Sequence, residues 1–417
     1  MNGLRVNWDR LQNRLDALGE IGAIEGGGCA RLALTDADRE GRDLVVSWMS
    51  DLGLRVDVDG IGNVVGTWPA SSTESPVMIG SHIDTVRTGG RFDGNLGVLA
   101  GLEVVETVIA AGLTTLSPLA VAFFTNEEGS RFPPDMMGSL VYVGGLSVEE
   151  ALDTVGVDGC VLGTELDRIG YVGPLPLPAR APHAYVELHI EQGPVLEAEG
   201  VAIGAVTGVQ GISWQEVTVT GQANHAGTTP MDMRHDAGFA AAELATFVRS
   251  LAEEIGPPQV ATVGRIELHP NLVNVVPSRA VLTIDLRNTD DSVLHRAEQL
   301  VDDHVHALAD AEGVTVTSRS LARFEPVAFD PTVVDLVESV AVGQGHTVRR
   351  MPSGAGHDAQ MLARVCPAGM VFTPSVGGIS HNPAEYTEPA DLEAGANVLL
   401  EVVLRLAGAP STVEPVA

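Results

Sequence analysis

Not one lysine occurs among the 417 residues, so all 24 basic side chains are arginine. A Schiff-base enzyme or a lysine general base therefore cannot be built from this chain. Cysteine is scarce. Cys29, Cys160 and Cys366 stand far apart, form no Cys-x-x-Cys pair, and read as small core residues or spare thiols of a reducing compartment. No apolar stretch approaches the roughly 18 residues needed to span a bilayer. The opening segment, MNGLRVNWDRLQNRLDALGE, carries charges every few positions and no apolar region, so a secretory leader is not expected. Positive charge is in deficit: the formal net charge is −31, which repels nucleic acid and anionic lipid. These absences point to a soluble, cytoplasmic protein with neither nucleic acid nor membrane as partner. No internal repeat or low-complexity tract is present.

What is there is a large apolar fraction, 45%, in a chain longer than the about 250–300 residues at which one hydrophobic core stops growing. Two domains are the expectation. Leu11, Leu15 and Leu18 share one face of a helix, and Asp36–Leu54 reads as a second helix. RVDVDGIGNVVGTW holds two short strands, PVMIG a third, and LAVAFF another. Between the last two lies the helix GVLAGLEVVETVIAAG, ending at Gly112. Apolar strands alternating with helices predict an α/β fold with a mixed, partly parallel sheet. In AYVELHIEQ, Val186, Leu188 and Ile190 take one face and Glu187, His189 and Glu191 the other. From about Gly208 the pattern changes: WQEVTVTG and RAVLTIDLRN bracket a helix over Ala237–Ile255, and a second helix runs over Asp291–Glu312. That order predicts a small α+β sandwich inserted into the first domain. The expected division is residues 1–207 and 326–417 for the main domain and 208–325 for the insert. After a helix (Thr332–Gly343), a strand (AGMVF) and a last helix (Asp391–Leu406), the tail APSTVEPVA is expected to be disordered.

Polar side chains collect where strands end. His82 follows PVMIG by two residues, Glu127 and Glu128 follow LAVAFF, His189 closes AYVELHI, and His381 lies beyond AGMVF in SVGGISHNPAE. In an open α/β sheet, sites form outside the carboxyl ends of strands, so these segments converge. Asp93, in GGRFDG at the entrance to a helix, supplies a fifth group. Three imidazoles and two carboxylates suit two divalent ions, with zinc, manganese, cobalt and nickel all compatible. Asp93, short and held at a glycine-rich corner, is the expected bridge. Asp84 is expected to accept the other ring N–H of His82 through its carboxylate. The adjacent acids then divide their labour: Glu128 is a ligand, and Glu127 is free to act as general base.

GSHIDTVRTGGRFDG, NEEGSRF, ELHIEQGPVLE, NHAGTTPMDMR, PNLVNVVPSRAVLTIDLR, SGAGHDA and GISHNPAEYT resemble the signature segments of N-carbamoyl-L-amino-acid hydrolases. These belong to a two-metal amidohydrolase and carboxypeptidase family that also holds β-ureidopropionases and allantoate amidohydrolases. The likeness runs from about Thr35 to Leu406. It implies the same ligand set of His82, Asp93, Glu128, His189 and His381, with Glu127 as base. It also implies a catalytic domain, an inserted lid and dimerisation domain, and a homodimer.

Arg287 stands on the polar face of RAVLTIDLRN, where its planar fork suits a carboxylate; the plain alternative is a surface pair with Asp285. The resemblance implies a carboxylate clamp of Arg287, Asn274 and Gly356, a carbamoyl-gripping Gln192, and a His225 that supports the developing oxyanion. The expected reaction is hydrolysis of an N-carbamoyl-L-amino acid. Alternatives are β-ureidopropionase, allantoate amidohydrolase, more distantly a peptidase or aminoacylase, or a non-catalytic metal-binding protein on the same fold.

Overall fold

The computed structural model describes residues 3–70 and 74–409, so the tail read as disordered lies, beyond Ala409, outside the described residues. The chain folds as two compact units: residues up to Gly208 together with those from Ala328 onward, and Val209–Val327.

In the first unit, four neighbouring strands run parallel, in the order Leu119–Phe124, Val77–His82, Ala184–Ile190 and Ala368–Thr373. The sheet continues antiparallel on both sides, through Val64–Trp68 at one flank and Ile203–Val209 at the other. Every residue of the four parallel strands is buried. The alternation of apolar and polar residues along AYVELHI therefore does not mark an exposed face. Helices cover parallel sheets on both faces, so Glu187 and His189 point into the interior and must find partners there. Glu187 does so by accepting from the Ser81 hydroxyl (2.7 Å) and the Ala359 N–H (2.9 Å).

The helix Asn95–Ala110 packs on this sheet and places the site. It begins after Gly94, at φ +66°, where a side chain would meet the His82 ring at 2.4–2.5 Å. Only glycine allows both the left-handed turn and that approach. Asp93 is thereby held against His82. The helix ends at Ala110, with Gly112 in the left-handed region as its stop signal implied.

The second unit is a four-stranded antiparallel sheet, ordered Thr315–Phe324, Gly211–Thr220, Arg279–Asn288 and Val260–His269. Helices Ala237–Ile255 and Asp291–Glu312 cover one face, each capped by an aspartate, Asp236 and Asp290. Leu282, Ile284 and Leu286 enter the shared core with Leu244, Val248, Leu294 and Val301. Thr283, Asp285 and Arg287 stay on the half-exposed face, as the alternation predicts. The outer strand Thr315–Phe324 is polar at most positions and carries no clear apolar alternation, which is why pattern reading passes over it.

Candidate metal centre

The carboxyl ends of the parallel strands bring the five proposed ligands into two groups. His82, Asp93 and His189 form one; Asp93, Glu128 and His381 form the other. Asp93 Oδ1 lies 3.5 Å from His82 Nε2 and 3.2 Å from His189 Nε2. Its Oδ2 lies 3.5 Å from His381 Nε2, which is 3.3 Å from Glu128 Oε2. The two carboxylate oxygens of Asp93 thus face different groups.

Tautomers decide what those distances mean. His82 Nδ1 lies 2.8 Å from the Asp84 carbonyl and His189 Nδ1 lies 2.9 Å from the Ile190 carbonyl. A carbonyl only accepts, so each Nδ1 carries the hydrogen, and a neutral ring then turns an Nε2 lone pair toward Asp93. Gly94 N–H donating to His189 Nε2 (3.2 Å) fits that assignment. A lone pair facing a carboxylate oxygen is repulsive unless positive charge lies between them. Burial opposes a charge on His82, yet Glu127 and Asp93 outweigh it and hold its pKa well above the ordinary histidine value. Burial likewise pushes Asp93 up, but the three imidazoles outweigh it and hold the carboxyl well below the usual range. The cluster demands cations and would take protons in their place. Glu128 Oε1, buried with no hydrogen-bond partner among the described residues, adds an uncommitted lone pair for a cation. The residues fit two divalent ions.

Glu127 belongs to neither group. It is 6% exposed, with Oε2 3.4 Å from His82 Nε2, and burial raises its pKa well above the ordinary glutamate value. Asp84 plays a different part from the one expected. It is its main-chain carbonyl, not its carboxylate, that meets His82. The carboxylate instead accepts from the N–H groups of Glu127 and Glu128, both at 3.3 Å. The chain turns directly after the strand, so the carbonyl two residues on reaches the ring while the side chain spans to the next strand end. Asp84 therefore orients the acidic pair.

Among the described residues, six non-glycine positions lie in the left-handed region, Leu34, Asn126, Met136, Gln192, Asn271 and His381, and three of the six, Asn126, Gln192 and His381, belong to or adjoin the candidate site. Strain of this kind gathers at functional sites. Gln192 donates from Nε2 to Asp93 Oδ2 (2.8 Å), so its amide is in the site but on the shared carboxylate. Gly356 stands against Met136, where a side chain would meet the methyl at 2.8 Å. His225 and Asn274 come together in the second unit: Val275 pairs with His225 in a short ribbon, and Ala226 N–H donates to the Asn274 carbonyl (2.9 Å). Arg287 is engaged by Asp285 (2.9 Å) and lies over Trp214, the surface pair foreseen as its alternative.

Sequence reading missed two buried neighbours. His357 packs edge-on against His189, with ring centroids 4.5 Å apart, and shares a hydrogen bond with Ser353 (2.8 Å). Glu385, four residues after His381, reaches back to the main chain of Asp93. The available signal for Glu385 was its place in GISHNPAEYT, beside a ligand.

The profile of peptidase family M20/M25/M40 matches residues 78–405. An N-carbamoyl-L-amino-acid amidohydrolase from Rhizobium meliloti is 44% identical, covering 97% of either chain. One from Geobacillus stearothermophilus is 40% identical over 96% of this chain and 99% of its own. The crystal structure of an amidase of the hydantoinase/carbamoylase family from Burkholderia multivorans is 46% identical, covers 97% of this chain and 98% of its own, and superposes with a TM-score of 0.93. The chain belongs to peptidase family M20/M25/M40.

Proposed function

We propose that this protein is a dinuclear metal-dependent amidohydrolase that cleaves the carbamoyl C–N bond of an N-carbamoyl-L-amino acid, releasing the amino acid, ammonia and carbon dioxide. The observation that carries the chemistry is that Asp93 enters both ligand groups while Glu127, buried beside them, enters neither. A storage site needs ligands but has no use for an uncommitted carboxylate. The choice of substrate is supported by relatives named N-carbamoyl-L-amino-acid amidohydrolase at 44% and 40% identity.

A ureido carbonyl is a poor electrophile because nitrogen lone pairs stabilise it from both sides. His82, Asp93 and His189, and Asp93, Glu128 and His381, would hold divalent cations, whose Lewis acidity would polarise such a carbonyl and ease the loss of a proton from water near neutral pH. Glu127 accepts the proton of the attacking water at a carboxylate oxygen and returns it to the leaving nitrogen. Asp84 holds the Glu127–Glu128 turn through two N–H groups, which fixes where that carboxylate points. His225 stabilises the oxyanion, and Gln192 exchanges its bond to Asp93 for one to the carbamoyl end. Arg287, Asn274 and the main chain at Gly356 take the substrate carboxylate. The reading includes a homodimer; the three unpaired cysteines suit a reducing, cytoplasmic compartment.

A substrate panel tests this. The metal-stripped protein, restored in turn with Zn²⁺, Mn²⁺, Co²⁺ or Ni²⁺, is expected to act fastest on N-carbamoyl-α-amino acids. A dominant rate on N-carbamoyl-β-alanine or on allantoate would make it a β-ureidopropionase or an allantoate amidohydrolase instead. Metal uptake with no turnover would leave a binding protein. The clamp has its own test. Arg287→Met is expected to lower kcat/KM about 10- to 100-fold, the loss of charge-assisted hydrogen bonds worth about 1.5–3 kcal/mol. If Arg287 serves only its pair with Asp285, kcat/KM stays near wild type and stability falls by at most about 1 kcal/mol.

A further inference from the structure

The Glu385 side chain turns inward and is 6% exposed. Its Oε1 accepts the main-chain N–H groups of Phe92 (3.1 Å) and Asp93 (3.2 Å). Its Oε2 lies 3.1 Å from the Ser380 hydroxyl, which also stands 3.2 Å from Asp93 Oδ2. Gly90 faces the same carboxylate: a Cβ built there would sit 2.1 Å from Oε1 and 2.2 Å from Cδ. Gly90 itself is not in the left-handed region, and the three atoms nearest to such a Cβ all belong to Glu385, its own Cβ among them at 2.4 Å.

One side chain therefore binds two loops that are distant in sequence. The loop at 90–94 carries Asp93, the shared ligand; the loop at 380–385 carries His381. An N–H group withdrawn from water is costly to leave without an acceptor, so the part-buried Phe92 amide and the buried Asp93 amide would move rather than stay unpaired. We propose that Glu385 is a positioning residue for the dinuclear centre, holding the Asp93 loop and the His381 loop in register so that both can serve the same cation. This rests on the dinuclear reading above. What the arrangement requires of residue 385 is an acceptor for two N–H groups. Ser380 has a single hydroxyl hydrogen and two carboxylates within reach. A glutamine would keep the acceptor, donate from Nε2 to the Ser380 oxygen, and leave the Ser380 hydrogen for Asp93.

The test is a Co²⁺ titration of the metal-stripped full chain, followed by visible absorption and by equilibrium dialysis with elemental analysis. Wild type is expected to bind two equivalents. Glu385→Ala is expected to weaken at least one equivalent about 10- to 100-fold, the usual cost of losing a group that orients a ligand, and to alter the cobalt spectrum. Glu385→Gln is expected to keep both equivalents and the spectrum. Glu385→Met, which fills the same space without an acceptor for the two N–H groups, is expected to reproduce Glu385→Ala. Circular dichroism and a thermal melt report folding. Unchanged Co²⁺ affinity and spectrum in a folded Glu385→Ala chain would overturn the proposal. If that variant does not fold, Glu385→Met against Glu385→Gln decides in the same way. Wild type that takes up no Co²⁺ would instead sink the dinuclear reading, and this inference with it.

Discussion

Glu127→Gln is expected to lower kcat on an N-carbamoyl-L-amino acid by about 10²- to 10⁴-fold, the usual range for a general acid–base group, with both metal equivalents retained. The substitution changes one atom type and no shape. The turn that presents residue 127 is held from outside: Asp84 accepts the Glu127 and Glu128 N–H groups, and Asn126 is fixed in the left-handed region with its amide donating to the Phe132 carbonyl (2.7 Å). None of these contacts uses the Glu127 carboxylate. That carboxylate meets His82 Nε2 at 3.4 Å, from outside the group formed by His82, Asp93 and His189. An amide in its place can neither take a proton from water nor hand one to nitrogen. Steady-state rates and elemental analysis of the same preparation check the prediction. Activity near wild type would remove Glu127 from the base role. Loss of metal would make it a ligand.

Asp93→Asn is expected to have a larger effect on metal. Asp93 is the one residue present in both ligand groups, with Oδ1 toward His82 and His189 and Oδ2 toward His381. Asparagine keeps one oxygen and turns an NH₂ toward the other group, where it repels a cation. It also removes the negative charge around which three imidazoles are gathered. At least one equivalent should be lost at any practical metal concentration, well beyond the about 10- to 100-fold cost of disturbing an outer group. Turnover should not return when excess metal is added. Two equivalents remaining after dialysis against a metal buffer would show that Asp93 does not bridge.

Much of this site could be read in the chain because its ligands obey local rules. His82, His189 and the Glu127–Glu128 pair stand in or just beyond apolar strands, and parallel strands open onto one edge. Asp93 stands at a glycine corner before a helix, and Gly94 allows that corner to press on His82. The helices Ala237–Ile255 and Asp291–Glu312 show their period and their aspartate caps directly. Other features could not be read this way. Which oxygen of Asp84 meets His82 depends on how tightly the chain turns after the strand. The buried polar face of Ala184–Ile190 depends on what covers the sheet. Arg287 could be seen to face outward, but that it meets Asp285 at 2.9 Å and lies over Trp214 is a matter of tertiary geometry.

Residue type and spacing along the backbone settled the mixed α/β class and the inserted unit's helices, and pointed to the five candidate ligands with Glu127, because periodicity and strand ends are properties of neighbouring residues. Packing alone settled the tautomers of His82 and His189, the turning of Asp84, and the bond between Glu385 and the Asp93 loop. Those depend on atoms that lie far apart in the chain and meet within about 3 Å only after burial, where a polar group without a partner is too costly to leave.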